Sequence, residues 1–488
     1  MRLPSWLPLL PLFLLCAGAA QARPNIVFIL TDDQDLTLGS LQFMPRTRAL
    51  IGGQGMTFSN YFVPLSLCCP SRSTILTGTY PHNHEVFTNF PPDGGFERFE
   101  ELGREEATIA TALHAAGYRT ALIGKYLNGY PGAKGQAYVP AGWDEWASPV
   151  GGSPYAAYRY TLNENGKTVR YGGTAQDYAT DVLAGKAVDF VRRAAGGGQP
   201  FFLYFATYAP HRPSTPAPRH AGLFPDLEAP RTPSFNEGDV RDKPAGIRRL
   251  PRLKKGQIAE INALYRRQMR SLQAVDEAVA SLIKALQETS QLANTYVVFT
   301  SDNGFHMGQH RLTPGKYTPY ETDIHVPLLI RGPGVPAGAT AKSLAASVDL
   351  TPTFAGLAGA ALPFEADGRS LAPLLRGETP AVWRRRVLLE QFAFPPAPPR
   401  ASELLEPSDG EKAEDYPAHL GFRTEGLKYI EYGTGEREVY DLKKDPDERG
   451  NLLGLMNAEW LADASRIARE LARCKGAGCR GLEEEEGP

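Results

Sequence analysis

The chain has 488 residues, of which 42% are hydrophobic and 22% charged, a balance that excludes an extended, disordered polymer. The length allows one large core with a smaller unit beside it. The formal charge is −2 at neutral pH, so there is no basic field of the kind that nucleic-acid binding needs, and no nucleic acid partner is expected.

Residues 1–22 carry an early positive charge at Arg2, an apolar run through Leu15 and Ala20-Gln21-Ala22 just before Arg23. That order predicts a secretory signal peptide over 1–22. The run is shorter than the ~20 residues of a membrane span and contains Pro8 and Pro11, so no membrane anchor is expected. No asparagine sits in an Asn-x-Ser/Thr triplet, which favours a periplasmic or secreted protein over lysosomal routing by an N-glycan.

Residues 24–30 form a continuous apolar run rich in branched side chains, the pattern of a strand buried on both faces. It ends in Thr31-Asp32-Asp33-Gln34-Asp35. Neighbouring strand side chains point to opposite faces, so Asp32 and Asp33 can share one ion only where the backbone bends. Next come Cys68-Cys69-Pro70-Ser71-Arg72-Ser73-Thr74-Ile75-Leu76-Thr77-Gly78, then Tyr80-Pro81-His82-Asn83-His84, and an amphipathic helix near 107–116. Strand-like runs at 118–123, 200–206 and 295–300 deliver Gly124-Lys125, His211 and Asp302-Asn303-Gly304. Polar residues just past the carboxyl ends of such strands gather where open α/β sheets bind ligands. A stripe from Ile261 to Leu286 at helical spacing is core packing.

Residues 211–256 are rich in Pro and Arg and lack periodicity, which suggests a long loop acting as a substrate-facing lid. A further strand at 326–330 follows Lys316, and a Pro-rich stretch up to Arg400 marks the domain junction. Alternating residues at 427–432 and 438–442 predict antiparallel strands, followed by a helix near 458–473. The expected organisation is thus an α/β domain over 23–375, with a large, mostly parallel sheet sandwiched by helices, and a smaller α+β subdomain over 376–488. Cys474 and Cys479 enclose a short Gly-containing stretch that suits a disulfide loop in an oxidising compartment. The run from Glu483 to Glu486 is expected to be a solvated tail.

Asp32, Asp33, Asp302 and Asn303 offer only oxygen ligands, suited to calcium or magnesium and not to zinc or copper. Arg72, Lys125 and Lys316 add positive charge for an anionic ester, and His211 can exchange a proton near neutral pH. His84, His306 and His310 are candidates for substrate contact, while Tyr80 and Trp143 are expected in the core or at its rim.

The segment from Cys68 to Gly78 matches every fixed position of Cys-x-Pro-Ser-Arg-x-x-x-Leu-Thr-Gly and resembles the signature of the sulfatase family. The resemblance implies an alkaline-phosphatase-like α/β fold and oxidation of Cys68 to 3-oxoalanine (formylglycine) by a formylglycine-generating enzyme. It implies one calcium held by Asp32, Asp33, Asp302 and Asn303 together with the modified Cys68. It also implies support of that residue by Arg72, sulfate binding by Lys125 and Lys316, and proton transfer by His211. Many family members have Gly-Lys-x-His where this chain has Gly124-Lys125-Tyr126-Leu127, which leaves His211 or Lys316 to protonate the leaving oxygen. Gly124 to Asn128, Tyr80 to His84, Cys68-Cys69, Val139-Pro140-Ala141-Gly142-Trp143 and the terminal cysteine pair look like the branch acting on the 6-sulfate of N-acetylglucosamine and its extracellular heparan relatives. The implied substrate is a 6-O-sulfated N-acetylglucosamine of a glycosaminoglycan. Alternatives are a phosphonate monoester or phosphodiester hydrolase of the same superfamily and a catalytically inactive sulfated-glycan binder.

Overall fold

The computed structural model describes residues 23–393 and 417–488. The expected signal peptide and the end of the Pro-rich stretch lie outside the described residues. Among the described residues no helix is long and apolar enough to cross a membrane.

A 10-stranded mixed sheet forms the centre. Its middle strands run Thr295–Ser301, Asn25–Asp32, Phe201–Pro210, Arg119–Gly124 and Glu145–Gly152, each parallel to the next. Antiparallel strands such as Leu328–Arg331 and Tyr160–Glu164 extend the sheet on either side. Strand Asn25–Asp32 shows why the apolar runs are unbroken: Ile26, Phe28 and Leu30 pack into one core layer, while Val27 and Ile29 pack into the other. The long helix Lys255–Glu288 covers the second layer with Leu272, Val275, Val279 and Leu282. Helix Leu350–Ala358 covers the first, with Phe354 against Phe28 and Phe202.

The C-terminal subdomain is a 4-stranded antiparallel sheet, Arg386–Gln391, His419–Thr424, Leu427–Tyr432 and Arg437–Asp441, with helix Ala458–Leu471 against it. Cys474 and Cys479 form a disulfide. The Cys474 carbonyl accepts from Asn83 Nδ2 at 2.9 Å, which ties this loop to the segment just after the cysteine motif. The expected solvated tail is corrected at its first residue. Glu483 is fully buried, hydrogen-bonded to Tyr80 and Arg369 and 3.2 Å from Arg384 Nε, because those two guanidinium groups need an anion beneath the core.

The segment expected to be a lid is packed on the body. Its Ser234 carbonyl accepts from the His310 amide, its Asn236 amide donates to Gly308, and Lys243 Nζ reaches the Arg449 carbonyl.

Candidate active site

Cys68 is the first residue of helix Cys68–Thr77, preceded by extended Leu67 and closed by Gly78 at φ +68°. All ten residues of this helix are buried. Position N1 puts the Cys68 side chain at the positive end of the helix dipole, where an anion is favoured. Pro70 lies in the first turn, where its missing N–H leaves no bond broken.

Each strand end brings one part of the site. Asp33 has φ +62° and the ladder with Phe201–Pro210 shifts register between Leu30 and Asp32, which is the bend that two adjacent acids need to share a target. Asp32 Oδ1 lies 3.2 Å and Asp33 Oδ1 3.9 Å from Cys68 Sγ. Gly124, at φ +121°, passes so close to the neighbouring strand that a Cβ would sit 1.7 Å from the Ala206 carbonyl oxygen. That approach delivers Lys125 Nζ to 2.7 Å from Asp32 Oδ2. Burial disfavours the Asp32 carboxylate, but Lys125, His211 and Arg72 together hold its pKa below the ordinary value.

Asp302 Oδ1 accepts from the amides of Asp33 and Asn303, and its Oδ2 accepts from Arg72 Nε at 2.8 Å. Asn303 Nδ2 donates to Asp33 Oδ1 at 2.7 Å. Lys316 Nζ stands 2.8 Å from Asp33 Oδ1 and 2.9 Å from Cys68 Sγ. His211 Nδ1 donates to the Arg212 carbonyl at 2.7 Å, which turns Nε2 toward Asp33 Oδ2 at 3.5 Å. The structure therefore brings Asp32, Asp33, Cys68, Arg72, Lys125, His211, Asp302, Asn303 and Lys316 into one buried cluster.

That cluster fits a hard cation. Asp33 Oδ2 and Asn303 Oδ1 are buried without a hydrogen-bond partner, and ligand atoms of Asp32, Asp33, Cys68 and His211 all lie within 4.8 Å of one another. Carboxylate and amide oxygens are the donors that calcium and magnesium prefer.

The three histidines expected to contact substrate are engaged with protein. His84 Nε2 meets Thr74 Oγ1 at 3.0 Å and its Nδ1 accepts from the Val86 amide; burial holds its pKa well below the ordinary value. His306 Nδ1 donates to Asp323 at 3.0 Å, and His310 Nδ1 lies 2.8 Å from Glu237 Oε2. Tyr80 is buried, and Trp143 stacks near Phe202 and Tyr204 in the core. Leu127, which stands where the resemblance leads one to expect histidine, is also core. Beside Lys125 stand instead Tyr155 and Tyr208, with ring centroids 5.1 and 5.9 Å from Nζ. Sequence reasoning missed this pair: Tyr155 sits in the one-turn segment Pro154–Ala156, which carries no periodic signal.

A parallel-centred sheet whose strand ends gather carboxylates, cations and a helix N-terminus defines a hydrolase of anionic esters. A family model described as Sulfatase matches residues 24–360, and one described as N-sulphoglucosamine sulphohydrolase, C-terminal, matches residues 308–474. The chain belongs to the sulfatase family and is a sulfuric ester hydrolase. It is 39% identical over 507 aligned residues to N-acetylglucosamine-6-sulfatase of Homo sapiens, covering 98% of this chain and 91% of the human one. It is 40% identical over 379 residues to the extracellular sulfatase SULF-1 homolog of Drosophila melanogaster, covering 76% of this chain and 33% of that one. A solved structure described as a complex with its substrate D-glucosamine-2-N,6-O-disulfate superposes with TM-score 0.76 at 26% identity, covering 95% of this chain and 100% of that one.

Proposed function

We propose that the chain removes the 6-sulfate from N-acetylglucosamine in a glycosaminoglycan, outside the cytoplasm, after a formylglycine-generating enzyme has converted Cys68 to formylglycine. The observation that carries the mechanism is the convergence of Asp32 and Lys316 on Cys68 Sγ, at 3.2 and 2.9 Å. The near full-length likeness to the human enzyme supports the choice of sugar.

Asp32, Asp33, Asp302 and Asn303 are the residues we assign to one calcium, whose charge would draw an anionic ester to the site and offset its negative charge. The hydrated aldehyde at position 68 would supply the attacking oxygen. Lys316 and Lys125, fixed by Asp33 and Asp32, present ammonium groups to the sulfate oxygens without reorganising. Arg72 holds Asp302 and keeps the strand end in place. His211, its Nδ1–H committed to the Arg212 carbonyl, offers Nε2 for proton exchange with the leaving oxygen. With Leu127 in the core, His211 or Lys316 is left to protonate the leaving oxygen.

The first experiment is mass spectrometry of the tryptic peptide 49–72 from the natural host. Aldehyde in place of the Cys68 thiol, followed by turnover of 6-sulfated N-acetylglucosamine in preference to an aryl phosphodiester, is the expected result. A thiol alone would sink the formylglycine mechanism in that host, and faster phosphodiester turnover would sink the choice of ester.

A further inference from the structure

Asn128 and Tyr155 meet at the edge of the Cys68 cluster, and the chemistry above uses neither. Asn128 is 2% exposed; its Nδ2 donates to the Tyr155 hydroxyl at 3.4 Å, and its Oδ1 is buried with no hydrogen-bond partner. The Asn128 backbone amide faces the thiol of Cys69, the neighbour of Cys68. Tyr155 is half-buried and follows exposed Gly152 and Ser153. Its ring lies 4.6 Å from the His211 ring and 4.8 Å from Tyr208, and Lys125 Nζ is 5.1 Å from its centroid. Lys125 and His211 are buried behind it, so Tyr155 and Tyr208 form the part of this wall that reaches solvent.

A buried carbonyl oxygen without a donor carries a desolvation cost that a ligand N–H or O–H removes. A half-exposed phenol offers an apolar ring face with a polar tip. A pyranose supplies both complements, through its C–H face and through its ring hydroxyls or acetamide N–H. A nitrophenyl ester has no donor to give.

We propose that Asn128 and Tyr155 form the subsite for the sugar ring that carries the ester, with Asn128 Oδ1 accepting from a ring hydroxyl or acetamide N–H and Tyr155 packing against the ring. The proposal rests on the sulfated-sugar reading above and adds the side chains that select a sugar over another alcohol.

The test uses formylglycine-containing enzyme and compares kcat/KM for a sulfated sugar with kcat/KM for 4-nitrophenyl sulfate. The sugar is whichever member of a panel headed by 6-sulfated N-acetylglucosamine the wild type turns over fastest. Asn128→Ala is expected to lower the sugar-to-aryl ratio about 10- to 100-fold, with most of the change in KM, and Tyr155→Ala to lower it as well. An unchanged ratio in both variants, whether or not the absolute rates fall, overturns the subsite and makes the pair a support for the Lys125 loop. Calorimetry of the same sugar on a Cys68→Ala chain, with and without Asn128→Ala, needs no turnover; a Kd about tenfold weaker is expected, and an equal Kd overturns the proposal. A wild type that hydrolyses the aryl ester but no sulfated sugar overturns both readings, and this outcome is distinct because it appears before any variant is made.

Discussion

Arg72 Nε donates to Asp302 Oδ2 at 2.8 Å, with both side chains wholly buried. Ser71 Oγ of the same helix also donates to the Asp302 carbonyl, so two contacts fasten the cysteine helix to the strand end. Replacing Arg72 with Met leaves the Asp302 carboxylate buried without its cation, which costs about 3–5 kcal/mol. Thermal unfolding by circular dichroism should place Arg72→Met about 3–5 °C below the wild type. A melting temperature within error of the wild type would show that the pair holds nothing together.

Lys316 touches both Asp33 and the Cys68 sulfur. Lys316→Ala should lower kcat on an aryl sulfate by about 10²–10³, the usual loss when one preorganised donor to developing negative charge is removed. Rates have to be divided by formylglycine content from mass spectrometry. A normalised loss below about threefold would remove Lys316 from the reaction.

The orphaned oxygens of Asp33 and Asn303 predict that calcium stabilises the folded chain. A ligand at 100 times its Kd adds about 2.7 kcal/mol, so the melting temperature should climb with calcium and fall after chelation. Asp33→Asn should lose that dependence. An equal rise with potassium chloride would mean that ionic strength, and not a bound ion, is responsible.

Burial pushes the Glu105 carboxyl up to about 7, against the opposing hydrogen bond from Tyr138. A carboxyl with a raised folded pKa binds its proton more tightly in the native state, so stability is lost as pH rises from the unfolded value near 4.5 to about 7. Glu105→Gln should therefore gain stability relative to the wild type above pH ~7, by up to about 3 kcal/mol, and lose that advantage below pH ~4. Parallel stability–pH curves for the two proteins would contradict this.

Much of the site was legible because its strands are buried on both faces. Their strand-like runs at 24–30, 118–123, 200–206 and 295–300 stand out, and each ends in the residues that meet around Cys68. The bend at Asp33 was required by the chemistry but carries no sequence mark, since an aspartate at positive φ is held there by the Asp302 contact. Strand Glu145–Gly152 escaped notice because Pro149, Gly151 and Gly152 interrupt its pattern, and Lys167–Arg170 because it is largely exposed. Glu483 reads as a tail residue until Arg369 and Arg384, more than 90 positions earlier, are seen to face it. The roles of His84, His306 and His310 depend on which neighbour each ring meets, and spacing alone does not carry that information.

The cysteine helix closes on a residue synthesised long after it: Arg72 and Asp302 are 230 positions apart. Until that strand emerges from the ribosome, the helix lacks its Asp302 anchor and Cys68 is not yet enclosed. Once the strand docks, the sulfur is fully enclosed. The aldehyde we propose at Cys68 thus has a deadline set by translation, and a cell that makes this protein faster than it can oxidise it would fill with well-folded chains closed around an unconverted thiol.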